Sequence, residues 1–171
     1  MLVNYNGIGI TPVFCVDWYT SIGFSSYAST PATAQTANEA RVAWLYVNLI
    51  SSVTTAVKGE AFQLAIWDII HDGGDGLSAG SIRSSSSTSS AVKSAWASYL
   101  TASLGQSILT GNYFYRNVAF ADGSPRQNLI GQPWPTEVPE PSTYALMAVG
   151  LGLVIFGRRG KTIQRSKSSK P

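Results

Sequence analysis

The chain has 171 residues, with 12 Lys and Arg against 9 Asp and Glu, one histidine and one cysteine. Its net charge of +3 is unevenly placed, because six basic residues follow Gly157 with no acid among them and the preceding body holds six basic residues against all nine acids. The basic balance therefore describes a tail and not a folded surface, which removes the main support for nucleic-acid binding, and a lone cysteine excludes an internal disulfide.

Residues 1–131 suffice for one domain with a hydrophobic core. Residues 2–10 alternate weakly and residues 13–19 are rich in aromatic and β-branched side chains, so both predict strands, with a Ser/Thr/Pro/Ala loop following to about Gln35. Thr36-Ala-Asn-Glu39 fits a capping box, and the helix it opens should reach Ser51 with Ala40, Trp44, Val47 and Ser51 on one face. A second helix is expected over 60–71. There Phe62, Ala65, Ile66 and Ile69 share one face and Gln63, Trp67 and Ile70 make an adjacent stripe, until Asp72-Gly-Gly-Asp-Gly76 stops it. A serine-rich surface loop at 84–90 precedes a third helix over 89–104, with Val92, Trp96, Tyr99 and Leu100 inward. Strand character returns at 112–120 and again at 127–130. The order predicts an α+β fold: an antiparallel β-sandwich or barrel-like sheet with an inserted block of about three helices, plus a C-terminal single transmembrane helix.

The C-terminal part divides into a proline-rich linker at 132–143, an apolar run at 144–157 and a basic tail at 158–171. Pro139 and Pro141 lack the amide donor and push their predecessors toward extended geometry, so this step should be exposed and open to a protease. The apolar run spans roughly 21 Å as a helix against a bilayer core of about 30 Å, so it needs its flanks, or a thinned bilayer, to cross. Length alone favours a buried helix of a soluble domain, but nothing follows the run except Arg158, Arg159, Lys161, Arg165, Lys167 and Lys170. By the positive-inside rule the tail stays cytoplasmic and the body is exported.

Val138-Pro-Glu-Pro-Ser-Thr143, a short apolar span and Arg158-Arg159, in that order, resemble the PEP-CTERM sorting signal of Gram-negative bacteria that make extracellular polysaccharide. The resemblance implies a substrate of an exosortase, a membrane-embedded cysteine protease that cuts near Pro139, Glu140, Pro141 and Ser142, with Arg158 and Arg159 as the membrane stop. It also implies a transient inner-membrane anchor, then a final place on the cell surface or in the extracellular matrix. Such proteins carry an N-terminal secretion signal. Residues 1–10 have no basic n-region, no long apolar stretch and no small-residue cleavage site, so the chain is expected to start inside a longer reading frame.

Cys15 should work in an oxidising compartment without a partner cysteine, and its plain reading is a small buried hydrophobe on a strand. Phe14-Cys15-Val-Asp17 together with Phe62-Gln63-Leu-Ala-Ile-Trp67 resembles the bacterial thioester domain, loosely over residues 10–130. What the resemblance implies is an internal thioester between Cys15 and Gln63, formed with loss of ammonia and able to capture a partner amine covalently. The thiolate is the nucleophile and the Gln63 carboxamide the acyl source, with Gln63 expected at the start of its helix facing Cys15. Phe14, Asp17, Phe62, Ile66 and Trp67 would surround the bond, the apolar ones excluding water.

Acyl transfer also needs an oxyanion donor and a proton carrier, for which Asp17 and His71 are the candidates. Each has a plainer role, His71 favouring a helix C-terminus and Asp17 a neighbouring turn. Asp72 and Asp75 suggest calcium, but the EF-hand spacing and its terminal Glu are missing, so a helix-terminating turn is expected and no metal or cofactor is assigned. Trp18, Trp44, Trp67 and Trp96 fall at core-compatible positions, and Trp134, between Pro133 and Pro135, should be exposed. Three functions remain open: a surface protein that crosslinks once through the thioester and so is no enzyme, a non-covalent envelope or biofilm protein of the same fold, and a hydrolase with Cys15, His71 and an acid. The hydrolase is the weakest, with one histidine and no nucleophile motif.

Overall fold

Thr36 opens the first helix because its hydroxyl takes the Glu39 N–H at 3.1 Å while its own backbone stays extended. Glu39 reaches back to the Gln35 N–H at 2.6 Å, one residue earlier than the usual capping box, so the predicted start is reproduced with a shifted return bond. In the computed structural model, which describes residues 2–4, 10–20, 28–117, 119–120 and 122–132, this helix is α1, Ala37–Leu49, followed by a 3₁₀ turn at Ile50–Ser52. Its buried face differs from the expected one. Val42, Ala43, Leu45 and Tyr46 turn inward with Ala40, whereas Trp44 is half-buried and Val47 and Ser51 are exposed. Periodicity marked a stripe about one residue off because alanines and a tryptophan left the two faces nearly equal in hydrophobicity.

The second helix, α2 (Ala56–Asp72), begins four residues before its expected start because Thr55 caps it through the Lys58 N–H. Phe62, Ala65, Ile66 and Ile69 are fully buried, as their spacing predicts, and Gln63, Trp67 and Ile70 form the half-buried stripe beside them. Gly73 ends the helix in the left-handed region at φ 75°, where its N–H bonds the Ile69 carbonyl. Helix α3 (Ser90–Ala102) is capped by Ser89 and buries Val92, Trp96, Tyr99 and Leu100, matching expectation. The serine-rich stretch before it closes on itself, since the Ser85 N–H bonds the Thr88 hydroxyl.

Strands β1 (Leu2–Asn4) and β2 (Ile10–Pro12) pair antiparallel with Val3 opposite Thr11. A four-stranded antiparallel sheet joins β3 (Phe14–Cys15), β4 (Ser29–Ala32), β5 (Phe114–Asn117) and β6 (Leu129–Ile130) in the order β3-β6-β5-β4. The fold is thus α+β with three helices and a small antiparallel sheet, and the described strands do not build a sandwich or a barrel. Strand β4 lies in what the sequence suggested was loop. It contains Pro31, tolerated because β4 is an outer strand with a free edge.

Alternate residues divide the sheet's two faces. Phe14, Val16, Phe114 and Ile130 join the helical core around Phe62, Ile66 and Trp96, while Val13, Tyr115 and Leu129 form a second cluster on which Cys15 packs. Gly131 lets that second cluster close, since a Cβ there would stand 2.9 Å from the Val13 side chain. No described helix is long and apolar enough to cross a membrane. The chain divides into two units, Met1–Trp134 and Pro135–Pro171. The linker from 133 onward, including Trp134, the apolar run at 144–157 and the basic tail lie outside the described residues.

Candidate functional site at Cys15 and Gln63

Strand β3 is an outer strand, and its pairing with β6 sets which of its main-chain groups are already used. Phe14 faces Ile130 and Cys15 faces Leu129, and the Val16 N–H bonds the Asn128 carbonyl. In an antiparallel pair, main-chain groups alternate between the partner and the opposite edge, so the N–H and C=O of Cys15 point to the free side. Gln63 occupies that side. Its Oε1 accepts the Cys15 N–H at 2.9 Å and its Nε2 donates to the Cys15 carbonyl at 2.7 Å. One carboxamide thus makes the two bonds a neighbouring strand would have made, and the outer edge is closed.

Helix α2 holds Gln63 in place, with Phe62 on one side of it fully buried against Phe14 at 4.8 Å between ring centroids and against Tyr99 at 5.1 Å. Phe14 also meets Tyr46 edge-on, and the Tyr46 hydroxyl bonds the Pro12 carbonyl, anchoring the strand leading to Cys15. Ile66, one turn beyond Phe62, is fully buried, and Trp67 is half-buried with its ring edge-on to Trp18. Gln63 sits two turns into α2, not at its start, because Thr55 caps the helix earlier than its apolar periodicity suggests.

The structure therefore brings Cys15 and Gln63 together with Phe14, Phe62, Ile66 and Trp67. The carboxamide meets the main chain of Cys15, while the thiol's side of the residue packs on the cluster of Val13, Tyr115 and Leu129. Burial, reinforced by the charge of Asp17, pushes the Cys15 thiol above its ordinary value. Asp17 itself accepts the Asn128 N–H through Oδ2 at 2.7 Å, and its carbonyl takes a bond from the buried Gln127 side chain. His71 accepts the Trp18 N–H at Nε2 and lies beside the Tyr19 ring. Neither side chain is hydrogen-bonded to the thiol among the described residues. The group that does meet Gln63 Oε1 is the main-chain N–H of Cys15, a partner that no side-chain pattern could reveal.

Of the tryptophans predicted for the core, Trp96 is fully buried and Trp44 and Trp67 are half-buried, but Trp18 is 40% exposed. One buried acid escaped the sequence reading altogether. Asp68, on α2, is fully buried, and burial followed by the nearby charge of Asp75 raises its carboxyl to about 6. The Gly76 amide and the Trp96 indole, which face it, offset this in part, and Asp72 adds to it. The spacing of Asp68, Asp72 and Asp75 along the helix end was the available signal.

The PEP-CTERM protein-sorting motif matches residues 137–161. Pro139, Glu140, Pro141, Ser142, Arg158 and Arg159 all fall within the matched stretch. This motif is the mark of an exported protein that an exosortase recognises and that is held transiently in the membrane before processing. No curated protein and no solved structure gives a significant match to the chain.

Proposed function

We propose that the chain is a cell-surface or extracellular-matrix protein of a Gram-negative bacterium, freed from its inner-membrane anchor by an exosortase, and that its body then attaches covalently to an amine-bearing partner through a Cys15–Gln63 thioester. The observation that supports the covalent part is the Gln63 carboxamide held at 2.9 and 2.7 Å on the main chain of the very residue that carries the thiol. In the ring-closing step the Cys15 sulfur adds to the Gln63 Cδ, and the Cys15 N–H steadies the negative charge that develops on Oε1. The C–N bond then breaks, and ammonia leaves with the thiol's proton. In the second step a partner amine takes the acyl group as an amide and the thiol is regenerated. The protein acts once and turns nothing over, so it is not an enzyme. The buried Phe62 and Ile66 favour a bond that survives until an amine arrives, because water is the competing nucleophile.

A second reading rests on the same contact. Both polar ends of the carboxamide are satisfied by the strand edge and the thiol is held protonated, so the pair would be a structural clamp in a non-covalent envelope or biofilm protein. Intact mass of the full chain separates the two. A deficit of one ammonia, abolished by Cys15→Ala and by Gln63→Ala, supports the thioester. Full mass with one alkylatable thiol overturns it and leaves the clamp.

A further inference from the structure

The end of α2 gathers three carboxylates that the covalent reading does not use. Asp68 and Asp72 are four residues apart on one helix face, and Gly73 and Gly74, at φ 75° and 78°, turn the chain so that Asp75 comes back toward them. One oxygen from each of the three lies within 4.8 Å of the others. Asp68 is the informative member. It is fully buried, and neither of its carboxylate oxygens makes a hydrogen bond of normal geometry, although the Gly76 amide and the Trp96 indole face it. A buried carboxylate without a partner costs several kcal/mol unless it is neutralised, so native structures rarely keep one.

Arg41 feels the charge of Asp68 but spends its hydrogen bonds elsewhere, on the Gly73 carbonyl at 2.8 Å, the Leu100 carbonyl at 2.8 Å and the Ser103 hydroxyl at 3.1 Å. Asp72 and Asp75 each bring a carboxylate oxygen into the same cluster, and Asp72 Oδ2 accepts the Ser81 and Ile82 N–H groups at 2.9 and 2.7 Å, which holds that side chain in position.

We propose that Asp68, Asp72 and Asp75 form a calcium site. All three donors are carboxylate oxygens, which select hard cations over zinc or copper. Calcium accepts a flexible shell of six to eight oxygens such as a helix end and an irregular glycine turn can offer, whereas magnesium demands near-ideal octahedral geometry and gives up its waters reluctantly. The site is not an EF-hand. Its ligands come from a helix end and the glycine turn after it, and loop carbonyls and water would complete the shell. The site would lock the turn that follows α2 and hold it against α3 through Asp68 and its neighbour Trp96.

Terbium, which binds calcium sites and luminesces when a nearby indole passes it energy, gives a direct readout through Trp96. The full chain, in detergent and stripped with chelator, should show tryptophan-sensitised terbium emission that calcium displaces between about 0.1 and 1 mM, the range of extracellular calcium modules. Magnesium at the same concentrations should not displace it. Asp68→Asn should abolish the emission with unchanged circular dichroism, and the exposed Asp75→Asn should weaken calcium at least about tenfold, carrying the test alone if the buried variant does not fold. Absent emission, emission that calcium leaves untouched, or emission equal in wild type and Asp75→Asn would each overturn the site.

Discussion

Glu39 in the first turn of α1 and Arg116 on β5 form an ion pair at 2.5 Å, tying the start of the helix to the sheet. Because Glu39 also receives the Gln35 N–H, one buried carboxylate serves both the helix cap and the tertiary contact. Glu39→Gln keeps the shape and removes the charge. It should cost about 2 kcal/mol, between the small worth of an exposed pair and the 3–5 kcal/mol of breaking a buried one. Urea unfolding of wild type, Glu39→Gln, Arg116→Met and the double variant would measure the pair's own share. A coupling energy near zero would show that the cap alone matters.

The contact between Gln63 and Cys15 makes a separate claim about stability. Gln63→Leu keeps side-chain volume but leaves the N–H and C=O of Cys15 unpartnered at a half-buried edge, and should destabilise the body by about 2–3 kcal/mol. Gln63→Glu retains the acceptor for the N–H and loses the donor to the carbonyl, so it should fall between. Equal stability of Gln63→Leu and wild type in denaturant would mean that water closes the edge as well as the side chain does.

Thiol reactivity follows from the burial of Cys15 and the charge of Asp17. In Gln63→Ala, where the thiol is free under either reading, alkylation should rise with pH along a curve whose midpoint lies above the ordinary cysteine value of about 8.5. Asp17→Asn should move that midpoint down, since a nearby negative charge no longer opposes the thiolate. A midpoint at or below the free-cysteine value would contradict the environment described for this residue.

The raised pKa of Asp68 predicts a pH dependence in the absence of divalent cations. Its folded value of about 6 exceeds the ordinary carboxyl value of about 3.9, so its contribution is fully present below about pH 4 and is lost as the pH rises through 6. Asp72, lowered by its bonds to Ile82 and Ser81, works in the opposite direction and loses its contribution as the pH falls. The clean observable is therefore the difference between wild type and Asp68→Asn in chelator: unfolding midpoints should converge toward pH 4 and diverge, with the variant the more stable, toward pH 7. A constant difference across that range would deny the carboxylate its buried setting.

Gly111 offers a test of local geometry. It sits at φ 92°, and a Cβ there would stand 2.5 Å from the Tyr113 ring just before β5. Gly111→Ala should destabilise by about 1–2 kcal/mol through backbone strain and ring displacement, readable as a lowered melting temperature. No change in melting temperature would mean that Tyr113 swings aside without cost.

Three helices and their inward faces on α2 and α3 were readable because caps and apolar spacing are local. Thr36, Ser89 and the Gly73 turn acted where they stood, and Phe62, Ala65, Ile66 and Ile69 repeat at helical spacing. Thr55 was a cap of the same kind, obscured by Gly59 and Glu60 inside the helix it begins. Strand β4 was hidden by Pro31, whose tolerance depends on its being outermost in the sheet, a fact about neighbours and not about the segment.

The chain's own order of residues determined its delivery: a Pro-Glu-Pro step, an apolar run and a cationic end are contiguous, and contiguous chemistry is legible without folding. It also suggested Cys15 and Gln63 as neighbours, through the resemblance carried by the residues flanking each. Only the tertiary structure decided what that pair touches. Which edge of β3 stays open, and which side chain closes it, depends on β6 taking the other edge. Tertiary packing likewise decided that Asp68 is buried without a salt bridge, since the guanidinium of Arg41 is committed to carbonyls brought together from the end of α2 and from α3. Burial and hydrogen-bond competition are properties of the assembled neighbours, which no single segment encodes.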